Sequence, residues 1–544
     1  MKRLFTALLL LTVLAVGGCG GPAAKAPSAE TDLGATIGSL GEIFFVESIR
    51  VEGYGLVGGL RGTGSSECPP DVRRYLEQYI MKQLPKAGMD VGSFISSLDT
   101  AVVRVEGIMP AAVGGRKPRF DVRVTALEGT QTTSLEGGWL YGTELKPAGS
   151  FGLAMKTLAK AEGAVYIDMI DAPATDTRSG YVLGGGTVLD EYKINIGLRR
   201  PDYRMAALIR DRLNARFGSD TAKAVSPGQI ELKVPPEYWQ QPQRYIAVVR
   251  SMYLAQSPEL TEQRISNFVE QLTTSTDKYP GEVSLEAIGN ACIGKLTSLL
   301  ESSNEEIRLR SARCMLNLGS DAGLDALRRI ASDKNSTYRI EALEAITAAA
   351  QRADAAAIAR NLLRDEDFNI RLAAYEQLRK LDDIAVIQET VGRSFHLEQI
   401  AQTPYKSIFV SRSGEPRIVL FGVPIYCRDN IFVESADGSI TLNAPSGQQY
   451  VSVMRKHPRR PNLPPIQLRS SFELGDIIRT LCEEPVKKSN HGQVGLGVSY
   501  AEVIALLKQM CDQGVVSAEF HAGPLPPSSL GTGETSPKAG AKSQ

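Results

Sequence analysis

The segment Gly53-Tyr54-Gly55-Leu56-Val57-Gly58 sets three glycines at the spacing G-x-G-x-x-G, with which dinucleotide-binding loops cradle a pyrophosphate. That chemistry requires the loop to open a helix whose N-terminal N–H groups face the anion. The chain continues instead as Gly59-Leu60-Arg61-Gly62-Thr63-Gly64-Ser65-Ser66, and each glycine costs a helix up to about 1 kcal/mol relative to alanine. The Lys-Ser/Thr ending of a phosphate-binding P-loop is missing too. The sequence therefore predicts a strand over 43–51 followed by a glycine-rich turn, with no nucleotide and no other cofactor.

A second chemical candidate is Cys19. Met1-Lys2-Arg3 is a short basic n-region, and Leu4–Val16 is an apolar run too short for a stable membrane span, so the segment reads as a secretory signal. Val16-Gly17-Gly18-Cys19 resembles the bacterial lipobox. That resemblance implies that Cys19 becomes the mature N-terminus and carries a diacylglycerol, with two or three acyl chains holding the protein on a membrane durably. Residues 20–36, rich in Ala, Pro and Gly, read as a tether.

The remaining cysteines, Cys68, Cys292, Cys314, Cys427, Cys482 and Cys511, allow 15 pairings, among which the sequence does not choose. Cys292 and Cys314 sit in apolar helical stretches and are expected as buried thiols. His396, His457, His491 and His521 are far apart and form no metal-binding spacing, so no metal site is expected. Lys+Arg and Asp+Glu both total 61, which removes the global basic field that draws a protein onto nucleic acid. The run Arg455 to Arg460 could meet carboxylates or phosphates locally, or form a solvated loop stiffened by Pro458, Pro461, Pro464 and Pro465.

The elements that must position these residues are of two kinds. Phe120, Val122 and Val124 alternate with polar residues, as do Ile194, Ile196 and Leu198, which is the period of a half-buried strand. Asp202 then caps a helix with Met205, Leu208, Ile209, Leu213 and Phe217 on one face and Gly218 at its end, before a strand over 229–234, together a β-α-β unit. From about 285 to 385 the pattern is helical and repeats. Ile307-Arg308-Leu309-Arg310, Tyr338-Arg339-Ile340-Glu341 and Ile370-Arg371-Leu372-Ala373 recur at 31 and 32 residues, each near the start of a second helix, as in short HEAT repeats. Arg308, Arg339 and Arg371 could form a ligand ladder, but pairing with carboxylates or carbonyls of the adjoining unit is the reading preferred. Strands return at 418–423, around a hairpin turn at Asp437-Gly438, and at 515–520 after a capping-box helix from Ser499.

The order of several segments resembles the flagellar basal-body P-ring protein family. They are Gly53 through Gly64, Phe120–Val124 with Ser134–Leu140 and Thr143–Leu145, Ile194–Tyr203, Val234–Tyr238, Gly495–Ser499 and Val515–Glu519. By that resemblance Gly53, Gly55, Gly58, Gly59, Gly62 and Gly64 form a turn of a ring subunit. It implies a non-catalytic periplasmic bushing, assembled as a homo-oligomeric ring around the flagellar rod, in contact with peptidoglycan and the outer-membrane ring proteins and not with nucleic acid. Cys19 adds an anchor to the outer membrane.

The fold expected is α+β, a mixed β-rich body interrupted by an all-α HEAT-like solenoid. The division expected is a signal at 1–18, a lipidated tether at 19–36, a P-ring-like region at 37–260, helical repeats at 261–395, an α+β region at 396–522 and a disordered tail at 523–544. If the repeats are an insertion, replacing 285–385 by a linker should leave a folded body. The alternative function is an anchored envelope lipoprotein whose repeats act as a scaffold or adaptor unrelated to motility.

Overall fold

The computed structural model describes residues 33–527 apart from 84–89, 116, 151–154, 171–175, 191–192, 393, 457–463, 486, 489–491 and 494. Cys19, the lipobox-like segment, most of the tether, the loop 457–463, His491 and the tail from 528 lie outside the described residues.

Helix α1 (Ile37–Leu40) leads into β1 (Gly41–Phe44). Six strands then close an antiparallel barrel: β2 (Ser48–Gly58), β3 (Thr100–Pro110), β4 (Arg119–Ala126), β5 (Trp139–Pro147), β6 (Ala159–Ala164) and β7 (Ser179–Val188), in the order β2-β3-β4-β7-β6-β5. In β4 the alternation has its foreseen effect, with Phe120, Val122 and Val124 buried in the barrel core. Helices α2 (Pro70–Gln83) and α3 (Val91–Ile95) cover the outside, packing Val72, Tyr75, Leu76 and Ile95 against Leu56 and Val102.

Beside the barrel stands a four-stranded antiparallel sheet, β1-β8-β10-β9, made with β8 (Ile194–Leu198), β9 (Ala222–Ser226) and β10 (Gln229–Leu232). Helix α4 (Tyr203–Phe217) begins where Asp202 accepts hydrogen bonds from the N–H groups of Arg204 and Met205, and ends at Gly218, whose φ is +103°. The β-α-β reading needs correction. The hairpin β9–β10 reverses the chain, so β10 runs antiparallel to β8. Helices α4 and α5 (Pro242–Ser251) bury Ile209, Leu213, Tyr245 and Val249 on this sheet.

The helical run continues with α6 (Pro258–Thr274), α7 (Tyr279–Ile288), α8 (Ile293–Leu299), α9 (Glu305–Asn317), α10 (Asp321–Ser332), α11 (Arg339–Ala349), α12 (Arg352–Leu362) and α13 (Phe368–Lys380). These pack as the pairs α6/α7, α8/α9, α10/α11 and α12/α13, and the second helices α7, α9, α11 and α13 stack successively. Each recurring sequence block lies at or near the start of a second helix, and Leu309, Met315, Leu343, Ile346, Tyr375 and Leu378 share one apolar core.

The chain then forms β11 (Ile387–Val391), β12 (Phe395–Ile400), β13 (Ser407–Val410), β14 (Arg417–Phe421), β15 (Ile431–Glu434), β16 (Ile440–Ala444), β17 (Val451–Arg455), β18 (Ile466–Ser470), α14 (Leu474–Cys482), β19 (Lys487–Lys488), β20 (Gly492–Gln493), α15 (Tyr500–Asp512) and β21 (Glu519–Ala522). The sheets are β11-β12-β14-β13-β21, β15-β16-β17-β18 and β19-β20. The Asp437-Gly438 hairpin joins β15 to β16, and Ser499 with Glu502 makes the capping box of α15. The last strand starts later than 515, because the backbone N–H groups of Val515 and Val516 donate to the carbonyl of Met510 at the end of α15.

The apolar run at 418–421 is buried on both faces of its sheet. Ile418 and Leu420 join the core under α14 and α15, whereas Val419 and Phe421, with Ile400 and Phe409, join the core of the helical repeats. This corrects the expectation that 285–385 can be exchanged for a linker, since the exchange would strip that second face of its cover.

Candidate functional site

The glycine motif is built into the barrel and its exit. Gly53, Gly55 and Gly58 lie inside β2, which runs on through them to Gly58, so the expected turn starts later than the sequence suggested. β2 pairs with β5 at Val51, Glu52, Val57 and Gly58, and the register shifts between. In that interval the two strands come so close that a Cβ on Gly53 would press on the Glu144 carbonyl, and one on Gly55 on the Thr143 side chain. Glycine is therefore what lets the last strand pair close the barrel. The turn proper is Gly59 to Thr63: Gly59 and Gly62 have φ of +81° and +93°, Arg61 has φ of +53°, and the Thr63 N–H donates to the Leu60 carbonyl at 3.0 Å. Gly64 lies against the carbonyls of Leu98 and Thr100, where no side chain fits. No helix opens at these glycines; the next one, α2, begins at Pro70.

A second structural centre joins the four-stranded sheet to the repeats. Glu282 and Glu286 on α7 are fully buried. Glu282 accepts from Arg244 at 2.7 Å, from Arg313 through both oxygens at 2.7 Å, and from Arg310 at 3.1 Å. Glu286 accepts from Arg244 Nε at 2.9 Å, the Tyr238 hydroxyl at 2.8 Å and Asn317 Nδ2 at 3.0 Å. Burial alone would raise the Glu282 carboxyl, but the neighbouring Arg244 and Arg313 outweigh it and hold it at about 2. Arg244 comes from α5, Arg310 and Arg313 from α9, so this knot ties three helices together. The sequence analysis missed it, although Glu282 and Glu286, four residues apart in the apolar stretch 281–288, carried the signal.

A third centre returns the end of the chain to the barrel. Asp121 on β4 accepts from the N–H of Gly184 at 2.7 Å and of Gly414 at 2.9 Å. Burial raises its carboxyl, against the lowering effect of those N–H groups. Asp168 accepts from the Tyr166 hydroxyl at 2.7 Å and from Arg412 at 3.1 Å. Around the same loop Glu415 meets Arg379 at 2.6 Å and Arg119 at 3.6 Å. The loop after β13 is thus seated on the barrel by polar contacts from β4 and from the segment after β6.

The three repeat arginines serve mainly their own units. Arg308 donates to the carbonyls of Ser302 and Ser303, Arg339 to that of Ala331, and Arg371 to those of Asp365 and Glu366. Each thereby ties down the end of its preceding helix or the loop after it, and Arg339 also pairs with Asp365 of the following unit. Cys292 and Cys314 are buried free thiols, and Cys68, Cys427, Cys482 and Cys511 are free as well. Among the described residues no group of three His, Cys, Asp or Glu is disposed to hold a metal, and no helix is long and apolar enough to cross a membrane. The arrangement is one of interlocked supports, in which the buried Glu282 and Glu286 are met by Arg244, Arg310 and Arg313, and Asp121 by backbone N–H groups.

Comparison with known proteins agrees with this architecture. A family model described as flagellar P-ring protein matches residues 36–266, which take in the barrel, the four-stranded sheet and the start of the helical run. The flagellar P-ring protein of Anaeromyxobacter dehalogenans strain 2CP-C is 32% identical over 223 residues, covering 37% of this chain and 55% of the relative. That of Thermotoga maritima is 30% identical over 249 residues, 43% of this chain and 69% of the relative. That of Aquifex aeolicus is 28% identical over 272 residues, 47% and 69% respectively. The chain thus spans about half the length of the Anaeromyxobacter relative.

Proposed function

Because the chain belongs to the flagellar P-ring protein family, we propose that it is a structural, non-catalytic subunit of a periplasmic ring around the flagellar rod. The observation that carries this reading is the seating of the family's glycine segment. Gly53 and Gly55 allow the close crossing of β2 and β5 within residues 36–266, so the part shared with the relatives is a complete barrel with its adjoining sheet. We read the region after it as the part that makes this subunit distinctive, helical repeats followed by an α+β region, and Cys19 as an acyl anchor to the outer membrane. The partners in this reading are further copies of the chain, the rod, the outer-membrane ring proteins and peptidoglycan.

The test is cryo-electron tomography of the envelope with and without the gene. Loss of a periplasmic ring density around the rod is the outcome expected. A motor of unchanged appearance in the deletion strain would overturn the reading.

A further inference from the structure

The sheet β1-β8-β10-β9 ends in two strands with no strand on their outer side among the described residues, although at the start of β9 the Asn214 side chain already takes the N–H and the carbonyl of Ala222. Free edges of this kind offer unpaired backbone groups and are ordinarily blunted or covered. Here both carry exposed apolar side chains, Phe44 at 53% and Val225 at 51% exposure. The two edges also differ in charge. Beside Phe44 lies Glu42, with Glu47 just beyond β1, whereas beside Val225 lies Lys223. None of these three side chains has an ion-pair partner among the described residues. Glu231, opposite Lys223 on β10, is already taken by Lys193 at 3.0 Å.

Topology supplies the direction. All neighbours in the sheet are antiparallel and the strands number four, so the two edge strands run in opposite senses. A second copy set beside the first in the same orientation therefore brings its β1 antiparallel to the first copy's β9, and the ladder continues without either copy turning over. Pairing like edges instead would oppose Glu42 to Glu42, or Lys223 to Lys223, which cross-strand electrostatics disfavours. Glu42, Phe44, Lys223 and Val225 all lie on the exposed face of the sheet, opposite the face bearing Ile43, Ala222 and Ala224.

We propose that β9 of one copy adds to β1 of the next, so that the four-stranded sheets of adjacent subunits join in one antiparallel sheet, with Ala224 opposite Ile43, the Lys223 stem over Phe44 and Val225 beside Glu42, which leaves Lys223 and Glu42 as diagonal neighbours within reach of each other at each junction. The inference rests on the ring reading above and names the surface through which the ring closes. Contacts of this head-to-tail kind leave one edge always open for another copy, which is what a ring requires and a two-fold dimer does not.

The experiment uses the full-length chain in its own cells, with Phe44→Cys and Val225→Cys introduced together and a short bis-maleimide as probe. A ladder of cross-linked multimers is expected from the double variant and not from either single one. In purified full-length protein, Glu42→Lys or Lys223→Glu alone is expected to weaken self-association about fivefold, and the two together to restore it. Rings that form without the ladder and ignore both charge reversals would overturn the edge pairing while leaving the ring reading intact. Unaltered protein that never self-associates would overturn both. The restored double reversal separates lost pairing from lost folding.

Discussion

A methyl group added at Gly53 would be driven into the carbonyl oxygen of Glu144, whereas at Gly59 the nearest atom to such a group is 4.0 Å away. The two glycines belong to one motif yet answer different demands, close approach of strands at Gly53 and a φ of +81° at Gly59. Gly53→Ala should therefore destabilise the barrel by about 1–3 kcal/mol, the range for overpacking. Gly59→Asn should cost less than about 1 kcal/mol, because asparagine tolerates the left-handed region and the space is open. Denaturant melts of the two variants check this; equal losses would show that strand crossing is not what Gly53 serves. The pattern of glycines was visible in the sequence, but which demand each one meets was not. Close approach at Gly53 depends on β5, some ninety residues later in the chain.

At the scale of elements, the Glu282 knot decides how the repeats are held. Removing one partner from a buried ion cluster typically costs about 3–5 kcal/mol, since the remaining charges stay buried without compensation. Glu282→Gln should fall in that range and loosen α7 from α5 and α9. The pH dependence has a defined sign. The carboxyl is held at about 2 in the folded chain, below its ordinary 4.5, so its stabilising effect is fully present above pH 4.5 and is lost as pH falls toward 2. Denaturant midpoints measured between pH 6 and 2.5 should drop steeply for the unaltered chain and less steeply for Glu282→Gln. Parallel curves would remove Glu282 from the account. Elements of this kind were legible in part. The helical repeats announced themselves because each unit solves the same packing problem with the same residue types, and the strand Arg119–Ala126 because one of its faces is buried and the other is not. The hairpin β9–β10 was not legible: Ala222–Ser226, an Ala-Lys-Ala-Val-Ser edge, has little apolar contrast, and its pairing fixes the direction of β10. The loop Ser411–Glu415 was equally silent, since its partners Asp121 and Asp168 are remote in sequence.

For the whole molecule, the reading of Cys19 as an acyl anchor predicts a change of compartment without a change of fold. Cys19→Ser should move the protein from the membrane pellet to the soluble fraction while its melting temperature stays the same. Retention in the pellet would remove the anchor from the account.

The chain leaves the barrel through the four-stranded sheet, runs through the stacked helices, and comes back to the barrel at Asp121 and Asp168. Mechanically this is a closed frame. A load applied to the C-terminal sheets reaches the barrel by two routes at once, directly across the Gly414 seat and the long way through the helices to Glu282, and the stiffnesses of parallel routes add. For the ring subunit proposed above, such a frame means that a load on one side is shared between both routes instead of bending a single hinge.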